Sequence, residues 1–247
     1  MKRKIEIEVE SFMRGYCEKN GLEFIWRTPS VRYAAAGHPE FPDLKKLVVE
    51  NHFLPEDFLA NPTVVISYFL PFIDAVATSN IDGYWTSDEW ARAYNVTNEM
   101  AVHLNEHLVK VVKELGFRAA VPHSAGMMED VLKSRWSQRH IARLAGHGTF
   151  GINNMLITEQ GCTGRFFSVV ADLPVSAGSV VAGERCLYKR NGTCGVCVRR
   201  CVADALTPQG FDRWKCHEMC ASNAKAGKEA DVCGKCVVNL PCSFSAP

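Results

Sequence analysis

Nine of the chain's eleven cysteines fall between Cys186 and Cys242, and that crowding constrains the fold more than any other feature. They are Cys186, Cys194, Cys197, Cys201, Cys216, Cys220, Cys233, Cys236 and Cys242; only Cys17 and Cys162 lie outside. A secreted disulfide scaffold places its cysteines in a short chain behind a signal peptide. This N-terminus, MKRKIEIEVE, carries charges throughout and has no apolar signal region. The longest apolar stretch, Thr63–Ile73, is too short to span a bilayer and contains Pro71. The sequence therefore predicts a soluble, cytoplasmic chain with no membrane association. In a reducing compartment, crowded cysteines point to metal ligation.

The spacing narrows the metal. Cys194-x2-Cys197-x3-Cys201 reproduces the last three positions of the bacterial ferredoxin run C-x2-C-x2-C-x3-C-P. Asn191 stands at the first position and Val202 replaces the proline, so the missing thiolate comes from elsewhere, and Cys186 is nearest. A 4Fe–4S cluster takes four thiolates. A C-x2-C turn delivers two of them and a remote cysteine closes the cage. Two such cages would interleave. One uses Cys186, Cys194, Cys197 and Cys242; the other uses Cys201, Cys216, Cys233 and Cys236. Cys220 is an alternative to Cys216, since a helix would put both on one face. The competing reading is a zinc-ribbon interaction module, because paired C-x2-C turns also suit zinc. The register of Cys201 and the ligand count favour two clusters, and hence a redox protein.

Charge divides the chain. Residues 1–180 hold 18 Lys and Arg against 21 Asp and Glu; the remainder holds 10 against 6. The boundary falls in the small-residue run at 176–183, giving an α+β domain over 1–180 and a small two-cluster, ferredoxin-like domain over 181–247. The formal net charge of +1 gives no sign of a nucleic-acid or membrane binder. Lys189, Arg190, Arg199 and Arg200 surround the first cysteine motif. They offset the negative charge of thiolate-bound clusters, or dock RNA or an electron-donor protein.

Periodicity places the elements. Ile5, Val9, Phe12 and Tyr16 mark one face of an amphipathic helix ending near Gly21. Thr63–Leu70 reads as a buried strand. Met100, Leu104, Leu108, Val111 and Leu115 mark a helix closed by Gly116. Phe117–Val121 reads as a short strand and Trp136–Leu144 as a helix. Met155–Thr158 and Arg165–Ala171 read as a hairpin around Gln160–Gly164, so the sheet is mixed or antiparallel. Cys17 and Cys162 are ordinary thiols on this reading.

Gly146, Gly148 and Gly151 match G-x-G-x-x-G. A dinucleotide site needs a strand before the motif and a helix after it. Here a helical segment precedes and the strand MLIT follows, so a Rossmann site is rejected. The glycines instead let backbone approach a flat cofactor or a neighbouring strand.

HIARLAGHGTFGINNMLIT, then GRFFSVVADLP, then the cysteine run, resemble the epoxyqueuosine reductase family and its relatives, the reductive dehalogenases. PTVVISYFLPF and KELGFRAAVP are similar to earlier segments of those proteins. The likeness covers roughly Asn61 to Cys242. It implies a nitroreductase-like mixed-sheet domain that binds cobalamin, two 4Fe–4S clusters that reduce it, and reductive chemistry on an unknown substrate. It also implies that Gly146, Gly148, Gly151 and Asn153 lie along the cobalamin. The implied partners are an electron donor such as a ferredoxin or flavodoxin and a small-molecule or corrinoid substrate.

Three departures qualify the expectation. The family's proton-donating Asp stands about fourteen residues before the A-G segment, where this chain has Leu132, with Glu129 and Asp130 out of register. Larger members carry tRNA-binding helical repeats after the clusters, whereas this sequence stops shortly past Cys242. The ferredoxin motif is altered at Asn191 and Val202. A tRNA substrate is thus unsupported by charge or length, and an electron-transfer or corrinoid-reducing protein without its own substrate chemistry is the alternative. Candidate proton donors are Asp130, His140 and Tyr94, with His123, His147 and Tyr68 behind them. His103 and His107 share a helix face with metal-compatible spacing, where solvated polar roles are the simpler reading.

Overall fold

A computed structural model of the chain describes residues 1–122 and 127–247. Its helices are α1 (Lys2–Asn20), α2 (Leu44–Leu47), α3 (Asp74–Ser79), α4 (Asp88–Glu114), α5 (Gln138–Leu144), α6 (Leu187–Asn191), α7 (Val196–Arg199) and α8 (Arg213–Lys225). Its strands are β1 (Ser30–Ala35), β2 (Val64–Pro71), β3 (Ala119–Ala120), β4 (Met127–Met128), β5 (Lys133–Ser134), β6 (Gly148–Phe150), β7 (Leu156–Thr158), β8 (Gly164–Ala171), β9 (Leu206–Thr207) and β10 (Gly210–Phe211). The expected α+β class holds.

The main sheet has the order β1-β2-β8-β3, and every pairing in it is antiparallel. β2 is buried at all its positions, as its run of branched and aromatic residues requires of a central strand. Strand alternation sorts its side chains between two layers. Val64, Ile66, Tyr68 and Leu70 pack with α1 and α4; Val65 packs with Ile141 and Leu144 of α5 on the other face. α1 buries Ile5, Val9, Met13 and Cys17 at every fourth position, with Phe12 and Tyr16 flanking that stripe. α4 starts well before the stripe read from Met100. Ser87 caps it, accepting the Trp90 amide N–H at 3.1 Å, and Trp90, Ala93 and Thr97 extend the buried face.

One expected hairpin does not form. β7 pairs with β6, through Gly148–Thr158 and Phe150–Leu156, while β8 joins the main sheet between β2 and β3. The reason lies in Gly148: a Cβ there would sit 1.9 Å from the Ile157 carbonyl oxygen, so only glycine lets these strands close. β8 is then free to supply a long central strand.

Residues after 181 share the core of the residues before them. Cys186, Val237 and Val238 belong to the same buried cluster as Ile5 and Leu104. Lys235 is 1% exposed, and its ammonium donates to the carbonyls of Asn80 (3.1 Å) and Asp82 (2.7 Å). Arg27 reaches the Phe244 carbonyl at 3.2 Å. No helix among the described residues is long and apolar enough to cross a membrane.

Candidate metal centre and cofactor cleft

The nine clustered cysteines surround two cavities. Cys186, Cys194, Cys197 and Cys242 line the outer one, together with Gly151 and Asn153. Cys186 immediately precedes α6, Cys197 lies in α7, and Cys242 arrives from the C-terminal segment. Burial pushes the Cys197 thiol up to about 12, and the sulfurs of Cys242, Cys186 and Cys194 add to that. Four sulfurs gathered around one space are a donor set that suits an iron–sulfur cluster, whose positive iron would favour their thiolate forms.

Cys201, Cys216, Cys220, Cys233 and Cys236 line the inner cavity, of about 180 Å³, with Trp90 and Phe72 on its wall. Asp212 caps α8 by accepting the Trp214 and Lys215 amide N–H groups at 3.0 and 3.1 Å. The helix so started puts Cys216 and Cys220 one turn apart on the cavity side. The Cys220 thiol beside it, with Arg139 and Arg213 nearby, lowers Cys216 to about 7 against the effect of burial. Among the described residues, no three His, Cys, Asp or Glu side chains converge on a point that one metal ion could occupy. The sulfurs ring spaces instead.

A cleft of about 1440 Å³ adjoins the inner cavity, and Cys162, Cys216, Cys220 and Cys236 line both. That volume exceeds the ~300–1,000 Å³ of ordinary small-molecule pockets and suits a large cofactor. Arg139, Arg165 and Arg213 line the cleft, together with the carboxylates of Asp57, Glu106 and Asp231. Arg139 donates to the Asn154 carbonyl at 2.6 Å, and burial, then Arg213 and Arg165, lower it to about 10. Arg165 stacks over the Tyr94 ring at 4.4 Å. None of these arginines carries a spacing signal, so sequence alone did not single them out.

The cysteine candidates come together; the other candidates divide. Tyr94 lines both the inner cavity and the cleft, and His140 lines the cleft. His140 Nδ1 lies 2.8 Å from Ser137 Oγ, and burial, then Arg139, His52, Arg143 and Arg213, lower its pKa to about 4. It is neutral at physiological pH. Asp130 sits on an exposed turn and is not among the cleft residues. Tyr68 is fully buried and donates to Asn105 at 2.8 Å, a packing role. His123 lies outside the described residues. His107 is held by Glu8 at 2.8 Å, which gives it a partner other than His103. Leu132, in the register of the missing aspartate, lines the cleft at φ 50. Its side chain has no proton to give.

The glycines sit against chain rather than along the cleft. A Cβ at Gly146 would meet the Ser179 carbonyl at 2.3 Å, and Gly148 abuts Ile157. Gly151 lines the outer cavity, and Asn153 alone of the four lines both that cavity and the cleft. The neighbouring-strand reading therefore fits Gly148. Cys162, expected to be an ordinary thiol, is buried where the inner cavity meets the cleft, and its backbone N–H donates to the Cys242 carbonyl at 2.9 Å. Nothing in its spacing marks it.

No protein-family model matches the chain. A curated epoxyqueuosine reductase from Leadbetterella byssophila is 33% identical over 116 residues, which are 46% of this chain and 32% of that protein. A selenomethionine-labelled epoxyqueuosine reductase structure matches 96% of this chain and 66% of its own, with a TM-score of 0.57 at 16% identity. The chain is similar in fold to epoxyqueuosine reductases. The Streptococcus thermophilus enzyme agrees, with a TM-score of 0.56 at 14% identity over 96% of this chain and 67% of that one. An epoxyqueuosine reductase solved with an epoxyqueuosine-modified tRNA stem loop gives 0.54 at 15% identity, over 96% and 66%. The chain spans about two thirds of the length of these solved relatives, and the likeness to them is one of fold.

Proposed function

We propose that this chain is an iron–sulfur oxidoreductase that delivers low-potential electrons to a cobalamin held in the cleft. Cys186, Cys194, Cys197 and Cys242 would hold the outer 4Fe–4S cluster. Cys201, Cys216, Cys233 and Cys236 would hold the inner one, with Cys220 as the alternative to Cys216. When bound, the clusters supply one-electron transfer and the cobalamin supplies a strongly reducing cobalt centre. The observation that carries this reading is the shared wall: Cys162, Cys216, Cys220 and Cys236 border the inner cavity and the cleft at once.

The chain's own residues then divide the work. Arg139, Arg165 and Arg213 hold anionic groups and favour electron-rich states in the cleft. Asn153 positions the inner cysteine loop. Tyr94 and neutral His140 orient what lies beside them, Tyr94 being the remaining candidate proton donor in the cleft. Exposed Lys189, Arg190 and Arg199, beside the outer cysteines, receive an electron-donor protein of the ferredoxin or flavodoxin kind.

A tRNA substrate has support that total charge had argued against. One solved relative holds a tRNA stem loop, and the arginines of the cleft supply local positive charge despite a net charge of only +1. A second reading is an electron-transfer or corrinoid-reducing protein, favoured by Leu132 at the cleft where a proton donor is expected. Anaerobic titration of the reconstituted protein with cobalamin tests the proposal. Saturable binding with reduction of Co(II) to Co(I) supports it; no binding with clusters intact contradicts it. Turnover of epoxyqueuosine-modified tRNA, a small epoxide or a halide then separates the enzyme from the electron carrier.

A further inference from the structure

Trp90 is 5% exposed and lines the inner cavity, yet its indole Nε1–H has no hydrogen-bond partner. A donor left unpaired in a protein interior is destabilising, because it has lost its hydrogen bond to water without replacement. The surroundings fix the ring tightly. Its backbone amide is held by Ser87 at 3.1 Å at the start of α4, and Phe72 packs edge-on with centroids 5.4 Å apart.

The ring's polar edge is turned to the cysteine loop. Gly234, inside Cys233-Gly-Lys-Cys236, has φ 72, and a Cβ built on it would fall 2.4 Å from Trp90 Nε1 and 2.3 Å from Cε2. The loop therefore carries glycine where the indole occupies the side-chain space. Among the described residues of this wall, the one buried polar side-chain atom without a partner is this N–H, which lies against the loop carrying Cys233 and Cys236. Packing alone would be met by a phenyl ring and would leave no donor to satisfy.

We propose that the Trp90 indole N–H donates a hydrogen bond to a sulfur of the inner cluster and raises that cluster's reduction potential. The inference rests on the cluster assignment made above. A donor hydrogen bond stabilises the electron-rich, reduced cluster more than the oxidised one, so its removal makes the cluster harder to reduce. In the proposed electron path, Trp90 holds the inner cluster at a potential that the outer one can reach.

The test uses the anaerobically reconstituted full chain. Redox titration monitored by EPR should give two midpoint potentials. In Trp90→Phe one of them should shift to a more negative value while the other stays; Trp214→Phe, at an exposed tryptophan, should shift neither. Unchanged potentials in Trp90→Phe with both clusters present overturn the inference. Should Trp90→Phe fail to fold, wild-type protein labelled with indole-¹⁵N tryptophan decides it. The reduced inner cluster should show a ¹⁵N coupling in pulsed EPR, and its absence overturns the inference. Loss of the cluster assignment itself has a separate signature: no iron, no sulfide and no EPR signal.

Discussion

The side-chain amide of Asn153 donates a 3.0 Å hydrogen bond to the backbone carbonyl of Cys236. Its carbonyl oxygen accepts the Met155 N–H at 3.2 Å, and the residue is 3% exposed. One buried side chain thus ties the glycine segment to the inner cysteine loop. Asn153→Ala leaves both partners unpaired, which costs about 1–3 kcal/mol for each buried group. Urea unfolding of the holoprotein should show a lowered midpoint, and iron should leave the variant faster under chelator. Equal rates of iron loss would show that the bond does not position the loop.

Removing single cysteines should separate the two cages. Cys194→Ala and Cys236→Ala each lower iron from about eight to about four per chain, and each leaves the EPR signal of the other cluster. Cys216→Ala should cost the inner cluster, and Cys220→Ala should spare it. The reverse result would assign the ligand to Cys220, which shares the same helix face.

Two glycines have opposite expectations. Gly15 lies on the exposed side of α1 with nothing within 4 Å of a built Cβ, so Gly15→Ala should stabilise by about 0.5–1 kcal/mol. Gly148→Ala forces a methyl onto the Ile157 carbonyl and should destabilise by about 1–3 kcal/mol through overpacking. Thermal melts of the two variants decide the matter. A neutral Gly148→Ala would mean β6 and β7 are not paired as described.

Acid should weaken the fold through its buried histidines. Burial lowers His147 to about 3 from 6.5, against the bond from its Nε2 to the Ser67 carbonyl, with Arg32 and Arg185 lowering it further. Between about pH 6.5 and about pH 3 the unfolded chain binds a proton that the folded chain refuses. Stability is therefore present above that window and falls as pH drops through it. His147→Gln retains a donor for Ser67 and removes the titration. Its urea midpoint should decline less steeply with acidification than that of the wild type; parallel declines would refute this cause.

Much of the candidate centre was legible because cysteines at ligand-like spacing carry their arrangement in the sequence. Cys186, separated from the motif and standing in for Asn191, still falls with Cys194, Cys197 and Cys242 around one cavity. Helix stripes were legible for the same reason: Ile5 and Val9, or Leu104 and Leu108, repeat with the period of the element. Strand partnership was not. The pairing of β7 with β6 depends on one absent Cβ at Gly148, and local pattern cannot say which neighbour a strand selects. The arginines of the cleft and Cys162 were invisible because they gather from separate elements with no fixed spacing. Asp130 was read by proximity in sequence to the missing acid; the chain turns it to solvent and presents Leu132 instead.

Iron and acid-labile sulfide analysis of the anaerobically purified chain, with EPR after reduction, tests the central claim most directly. The account predicts about eight iron and about eight sulfide per chain, with signals of two reducible 4Fe–4S clusters. A colourless protein holding zinc on the same cysteines would contradict it.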